Sequence, residues 1–352
     1  MIRSLRIHAA TLCTLATALL TVPLAAQEAE RFSIDGTDVA VYNLAGSVRI
    51  EPGTGANVVI EVRRTGRDAE RLRLERRDVD GRAALVVRYP DDDIVYRGGQ
   101  WSGRTTMRVR DDGSFFGDGS RGERVTLRSS GRGLEAHADL RILVPAGRNV
   151  EVRLGVGDVS AAGVTGDLDV DVASASVQTS RTRGRLRIDT GSGRVRVADA
   201  EGDVLVDTGS GAVELTDVRG GDVRVDTGSG AVTGGSIAAD RFHVDTGSGR
   251  IAMSGVAARD LEFDTGSGSV EIDLAADVEK LRIDTGSGAV RLRVPAELGA
   301  SLTVDTGSGG ITVDAPHTVV RQERSFLSAR LGDGRGSIEI DTGSGGVRVV
   351  RR

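Results

Sequence analysis

The chain has 352 residues, with 49 Gly, 6 Pro and only 3% aromatic residues. That is about twice the usual Gly and well under half the usual Pro, which excludes collagen and Pro-rich linkers, while the regular recurrence of Val, Leu and Ile excludes wholesale disorder. The formal charge of −5, with arginines that alternate with Asp and Glu instead of gathering into a block, argues against a nucleic-acid partner.

Residues 1–26 read as an export signal: Arg3 and Arg6 open it, Ile7 to Val22 are mostly apolar, and Pro23-Leu24-Ala25-Ala26 supply small residues for cleavage near Ala26. Cys13, the one cysteine, falls inside this segment behind Leu12, where a lipoprotein signal needs a small residue. The exported chain is therefore expected to lack thiols, disulfides and thiolate metal sites, and to carry a charge of −7 once Arg3 and Arg6 are gone. No apolar run of about 18 residues follows, so no transmembrane anchor is expected after cleavage.

The segment Asp38 to Glu51 reads as a first coil-like turn, and Arg71 to Arg77 with Ala83 to Tyr89 as a hairpin around Asp80-Gly81. Pro90 to Glu123 is rich in Gly and Asp and reads as a long loop or two-stranded excursion, followed by strands at Arg124 to Arg128 and Ala138 to Val144.

From residue 150 the chain repeats itself. Asp-Thr-Gly-Ser-Gly begins at Asp189, Asp207, Asp226, Asp245, Asp264, Asp284, Asp305 and Asp341, at intervals of 18 to 21 residues except the last, which is close to two periods. Aliphatic or aromatic residues stand one and three places before each Asp, as at Ile188 and Leu186 or Phe263 and Leu261, with mostly polar residues between. Alternation resumes beyond the glycines at Val195, Val213 and their equivalents. Period two on both sides of a glycine corner means strand, turn, strand. A unit this short buries nothing alone, so the coils must stack about 4.8 Å apart, and the predicted fold is all-β: a single-chain parallel β-solenoid roughly 50 Å long. Three parts follow. They are the leader 1–26, an N-terminal β region and cap over 27–149 with its long loop at 90–123, and the solenoid over 150–352, interrupted at 316–336. The irregular segments are expected to cap the open ends.

On parity the corner Thr points inward and Asp outward, and the two glycines are expected to supply positive φ. Stacked carboxylates 4.8 Å apart repel by about 0.9 kcal/mol at the dielectric of water and about 3.5 at an effective dielectric of 20. The favoured relief is an Asx-type turn in which Asp accepts the N–H of the following Gly or Ser. Neighbouring Arg187, Arg194, Arg224, Arg250, Arg282 and Arg291 are a second source. Bound Ca²⁺ along Asp189, Asp207, Asp226, Asp245, Asp264, Asp284 and Asp305 is a third, and the one cofactor the pattern admits.

An aliphatic residue before Asp-Thr-Gly-Ser also reads as the loop of an aspartic protease, but that enzyme needs two such loops face to face, and a stacked array does not build the pair. His137, His243 and His317 stand apart in sequence without metal-ligand spacing and read as structural or surface residues. Five of the aromatic residues fall close together here, Tyr89 just before the excursion and Tyr96, Trp101, Phe115 and Phe116 within it, beside Asp91-Asp92-Asp93 and Asp111-Asp112. Tyr96, Trp101, Phe115 and Phe116 are the candidate recognition surface for an envelope glycan or protein, against the alternative that the rings plug the solenoid end.

The stretch Tyr42-Asn43-Leu44-Ala45-Gly46-Ser47-Val48-Arg49-Ile50, the passage Ala138 to Gly147 and the repeated corners up to Gly345 resemble a bacterial family of exported β-strand-repeat proteins, a domain of unknown function labelled "putative adhesin". The resemblance covers nearly all of the chain after the leader. It implies a β-helical envelope or surface protein, found in the periplasm, on the cell surface or secreted, with no catalytic residues to carry over. The expected function is a non-enzymatic, adhesin-like or structural role; the alternatives are a carbohydrate-active β-helix enzyme, a polysaccharide lyase or hydrolase, and an accessory protein of an envelope-stress sensor.

Overall fold

The computed structural model describes residues 29–99, 101–116 and 121–352, so the expected leader and Cys13 lie outside the described residues. Apart from one short 3-10 turn at Ala69–Arg71, its elements are strands, joined into a 23-stranded sheet that winds into a solenoid and a separate three-stranded sheet. The parallel β-solenoid predicted from the repeat is the fold.

Each regular coil has two longer sides and a short third one. In the coil from Leu186, the strand Leu186–Ser192 turns Leu186, Ile188 and Thr190 inward, the glycine corner reverses the chain, and the strand Val195–Glu201 turns Val195 and Val197 inward. The chain bends again at Asp199, whose φ is 52°, so that Ala200 faces the core from the short side. In-register parallel pairing stacks like on like: Ile188, Val206, Val225, Val244, Phe263 and Ile283 form one column and Leu186, Val204, Val223, Phe242, Leu261 and Leu281 another, every member at most 1% exposed. Such a side chain contributes about 1.5 to 3 kcal/mol when fully buried, and a coil buries several only because its neighbours cover both its edges. Phe242 and Phe263 meet edge to face, 5.5 Å between centroids, and widen the core in the middle of the rod.

The bend at Asp199 repeats as a column of left-handed residues, Gly163, Arg181, Asp199, Asp217, Ser236 and Gly255, with φ between 51° and 71°. Glycine adopts this backbone freely. Arg181 and Ser236 are held there by the pairing of the coils on either side.

At the N-terminal end, Asp38–Pro52 pairs in parallel with Asn149–Ala162, so the first coil lies directly on the repeat. Its other edge is covered by two separate strands, Arg82–Arg88 along Val39 to Tyr42 and His137–Val144 along Val48 to Pro52. Antiparallel partners close these in turn: Arg73–Val79, across the Asp80-Gly81 turn with φ 53° and 78°, and Val58–Thr65, followed by Glu30–Ile34. Within the excursion, Asp93–Val95, Arg104–Val109 and Glu123–Arg128 make the three-stranded sheet.

The C-terminal end departs from the expected order. Lys280–Thr285 does not pair with the next copy in sequence, Ala300–Thr306, but with Gly336–Thr342, and Ala300–Thr306 lies beyond that. The second side does the same: Val290–Val294 pairs with Val347–Arg351, which pairs with Ile311–Asp314. The rungs therefore run Asp284, Asp341, Asp305. The last coil in sequence is inserted between the two before it, and the segment expected as an interruption, which holds the strands His317–Gln322 and Phe326–Leu331, folds over the outer edge of Ala300–Thr306. Equal corners permit this, because the 336–351 coil offers the 280–294 coil the same apolar columns as the 300–314 coil would.

Candidate functional site

The corners make one continuous ridge along the rod, and threonine, not aspartate, makes their turn. From Thr208 to Thr285, and again at Thr342, the inward Thr hydroxyl accepts the N–H of the second corner glycine, at 3.0 Å for Thr208 and Gly211, Thr246 and Gly249, and Thr285 and Gly288, whereas Thr190 and Thr306 at the two ends donate to carbonyls of Ser192 and Gly309. The accepting hydroxyl donates in turn to the corner carbonyl of the coil beneath, as from Thr246 to Gly230 at 3.2 Å and from Thr265 to Gly249 at 3.1 Å. Thr342 donates to Gly288 at 3.2 Å, which ties the inserted coil into the same stitching. The Asx turn expected of the aspartates is absent from the described corners: the N–H of the first corner glycine, which such a turn would use, already donates to the threonine carbonyl of the coil beneath, as from Gly209 to Thr190 at 3.0 Å and from Gly247 to Thr227 at 3.1 Å. In the first coil Asn43 stands in this column and does the same work: its amide donates to the carbonyls of Ala45 and Ala138, and its oxygen accepts the Tyr89 hydroxyl.

The glycines are also required for a different reason from the one expected. From Gly209 onward the corner glycines do not have left-handed φ. A Cβ on Gly211 would lie 1.7 Å from the Gly193 carbonyl oxygen, and one on Gly268 would lie 1.8 Å from that of Gly249. Close stacking of backbone on backbone leaves no space for a side chain. The outer surface of the ridge is consequently bare, with Ser210, Ser229, Ser248, Ser267, Ser287, Ser344 and Ser308 exposed in file.

Beside the serines runs the aspartate column, through Asp171, Asp189, Asp207, Asp226, Asp245, Asp264, Asp284, Asp341 and Asp305. Partial burial, reinforced by the next carboxylate along, raises Asp189, Asp264 and Asp341 above the usual carboxylate range. Asp171, the most enclosed of these, is pushed up to about 6, chiefly by burial and against the pull of Arg153. Arginines offset part of the repulsion: Arg224 donates to Asp226 at 2.8 Å, Arg282 to Asp284 at 3.4 Å, and Arg187 lies 3.7 Å from Asp189, which stays raised despite it. Arg250, counted among those neighbours, pairs with Glu271 instead.

The excursion meets the ridge at one end. Trp101 lies over the first corners, its Nε1 donating to Ser174 Oγ at 3.0 Å, with Ser174 and Ser192 hydroxyls 2.9 Å apart. An open cleft of about 250 Å³ lies there, lined by Trp101, Asp158, Ser176 and Gly193 among others. Tyr96 packs behind Trp101 at 6.3 Å and against His137 at 5.0 Å; burial raises the Tyr96 hydroxyl to about 12 and lowers His137. Of the four recognition candidates, Tyr96 and Phe115 are each 2% exposed, Phe115 packing edge to face on Tyr42, whereas Trp101 and Phe116 keep part of their surface. The contact of Trp101 with Ser174 was not legible in the sequence, which gives no register for the excursion, whereas Ser174 and Ser192 are one period apart and pair in register. The grouping of His243 with Asp226 and Asp245 was missed, His243 reading from sequence as a structural or surface residue set apart, although the repeat holds the signal: coils written in register bring the three together.

The chain matches the family model described as Toastrack DUF4097 over residues 38–350, which spans the first coil, both ends and the whole ridge. The chain belongs to the Toastrack family. This is a family of unknown function, as the resemblance read from the corners implied. No curated protein matches the chain. A solved structure described as a "putative cell adhesion protein" from Clostridium sporogenes is similar over 92% of this chain and 99% of its own, at 11% identity and a TM-score of 0.25. Among the described residues of this Toastrack protein, no helix is long and apolar enough to cross a membrane.

Proposed function

We propose that this protein is an exported, non-enzymatic and adhesin-like element of the bacterial envelope, and that its ridge holds a repeating polymer of that envelope, a glycan foremost. The observation that carries this is the ridge itself. Hydroxyls, carboxylates and bare backbone recur at every coil on a rigid frame, and one partly exposed indole lies over the ridge at its N-terminal end. A periodic surface suits a periodic ligand, since each added unit makes the same contacts without further ordering of the protein. An aromatic face beside polar groups gives such a chain a place to stack. A catalytic centre, in contrast, is a local exception to its scaffold, and the carboxylates here belong to the repeat.

The test is co-sedimentation of the protein with isolated envelopes and insoluble glycans, wild type beside Trp101→Ala. Deleting residues 91–122 would remove the strands Asp93–Val95 and Arg104–Val109 together with buried Phe115, so a single substitution is the cleaner probe. Trp101→Ala is expected to weaken binding about tenfold, the equivalent of about 1.4 kcal/mol, with a melting temperature within about 3 °C of wild type. A protein that sediments with none of these materials would remove the adhesin reading.

A further inference from the structure

We infer that the outer face of the middle coils carries a binding site for a first-row divalent cation of the Zn²⁺ class, formed by Asp226, His243 and Asp245. One ligand atom from each of the three lies within 4.8 Å of the other two. The set is reached by register and by parity: Asp226 and Asp245 are paired across adjacent strands, and His243 precedes Asp245 by two residues on the same outward face.

Three features distinguish this rung from the rest of the ladder. The column two residues before each Asp reads Asp169, Arg187, Leu205, Arg224, His243, Glu262, Arg282, Glu339 and Thr303, so an imidazole occurs once. The repeat accounts for the aspartates but not for the histidine. A mixed nitrogen and oxygen set favours Zn²⁺ and its neighbours, whereas Ca²⁺ selects oxygen alone.

Secondly, His243 Nδ1 is 3.2 Å from Glu262 Oε2 on the next coil, outside the triad. A carboxylate that holds one nitrogen of a ligating histidine orients the ring and makes the other nitrogen a better donor. Thirdly, the three residues sit on strands paired in register, which fixes the spacing of the backbones that carry them.

One contact opposes the site and supplies its sharpest test. Arg224 Nε donates to Asp226 at 2.8 Å, and a cation must displace it. Removing that guanidinium should therefore tighten binding, an outcome that a purely structural role for these residues does not produce.

The experiment is isothermal titration of the full chain with ZnCl₂ in a Cys13→Ser background, which removes the one thiol. The expected result is one saturable site per chain. His243→Ala and Asp245→Asn should each weaken it at least tenfold, Arg224→Ala should tighten it several-fold, and His317→Ala should leave it unchanged. The circular dichroism and melting temperature of His243→Ala, a substitution on the outer face, establish that the variant is folded. A titration with no saturable site, binding that survives His243→Ala, or binding that does not tighten in Arg224→Ala would overturn the inference.

Discussion

In the middle of the rod, from Leu186 to Leu274, the next coil in sequence is the next coil in space; at the two ends sequence and space part company. The first coil, 38–52, is covered on its outer edge by strands drawn from residues 73–144, and the last, 336–351, is held between the two coils that precede it. Both of these coils thus have neighbours on both edges, and irregular strands cover the outer edges of Asp38–Pro52 and Ala300–Thr306. An open sheet edge invites pairing with another chain, so covering these coils with irregular strands protects the exposed edges of the regular stack. Repeated corners establish that coils stack, and the connections decide which coil stacks on which.

The greatest effect is expected at the glycine corners, between a glycine stacked on the coil beneath, as Gly268 and its outer counterpart Gly309 are, and one just outside that stack. Gly268→Ala places a Cβ 1.8 Å from a carbonyl oxygen, and a loss of about 3 kcal/mol or more is expected, whereas a Cβ on Gly310, near the outer end, meets nothing within 4 Å and Gly310→Ala should cost under about 0.5. Equal denaturation midpoints for the two would show that coil spacing relaxes. Next, Ile340 lies in the last coil by sequence but is 1% exposed between two others, while Ile311 is half-buried in the outermost coil. Ile340→Ala should cost about 2 to 4 kcal/mol and Ile311→Ala under half of that. The reverse ranking would restore the sequential order of coils.

A third test concerns the N-terminal start of the aspartate column. Because the folded chain raises Asp171 to about 6, above its unfolded value, the native state binds the proton more tightly, and stability falls as pH climbs from about 4 to about 6. Asp171→Asn should therefore stabilise by about 1 to 2 kcal/mol at pH 7 and by nothing measurable below pH 4, read from denaturant midpoints at the two pH values. A benefit equal at both would show that the effect is not protonation. The smallest expected change is at the left-handed column, where Arg181→Gly should stabilise by about 0.5 to 1 kcal/mol by releasing an unfavourable φ of 51°. A loss instead would mean that side-chain contacts of Arg181 outweigh its backbone.

Much of the middle was legible because its signals are local. Alternation around each corner names the inward residues, and Ile188, Val206 and Val225 are buried where parity places them. The role of the corner threonine was not legible, since an inward Thr and an outward Asp both offer a turn acceptor and the choice depends on the carbonyl stacked beneath, as that of Gly230 is beneath Thr246. Tyr96 and Phe115 could be read as surface or plug from composition alone, and packing against His137 and Tyr42 decides it.

By itself the sequence determined the coil: its length, its apolar columns, its bare corners and the outward acidic ladder, because each follows from a period of two and from the space a side chain needs. Only the tertiary structure decided the order of coils at the ends, the turn chemistry and the placement of Trp101 over Ser174. These depend on which edge a returning strand covers, and near-identical coils carry little local information to distinguish one edge from the next.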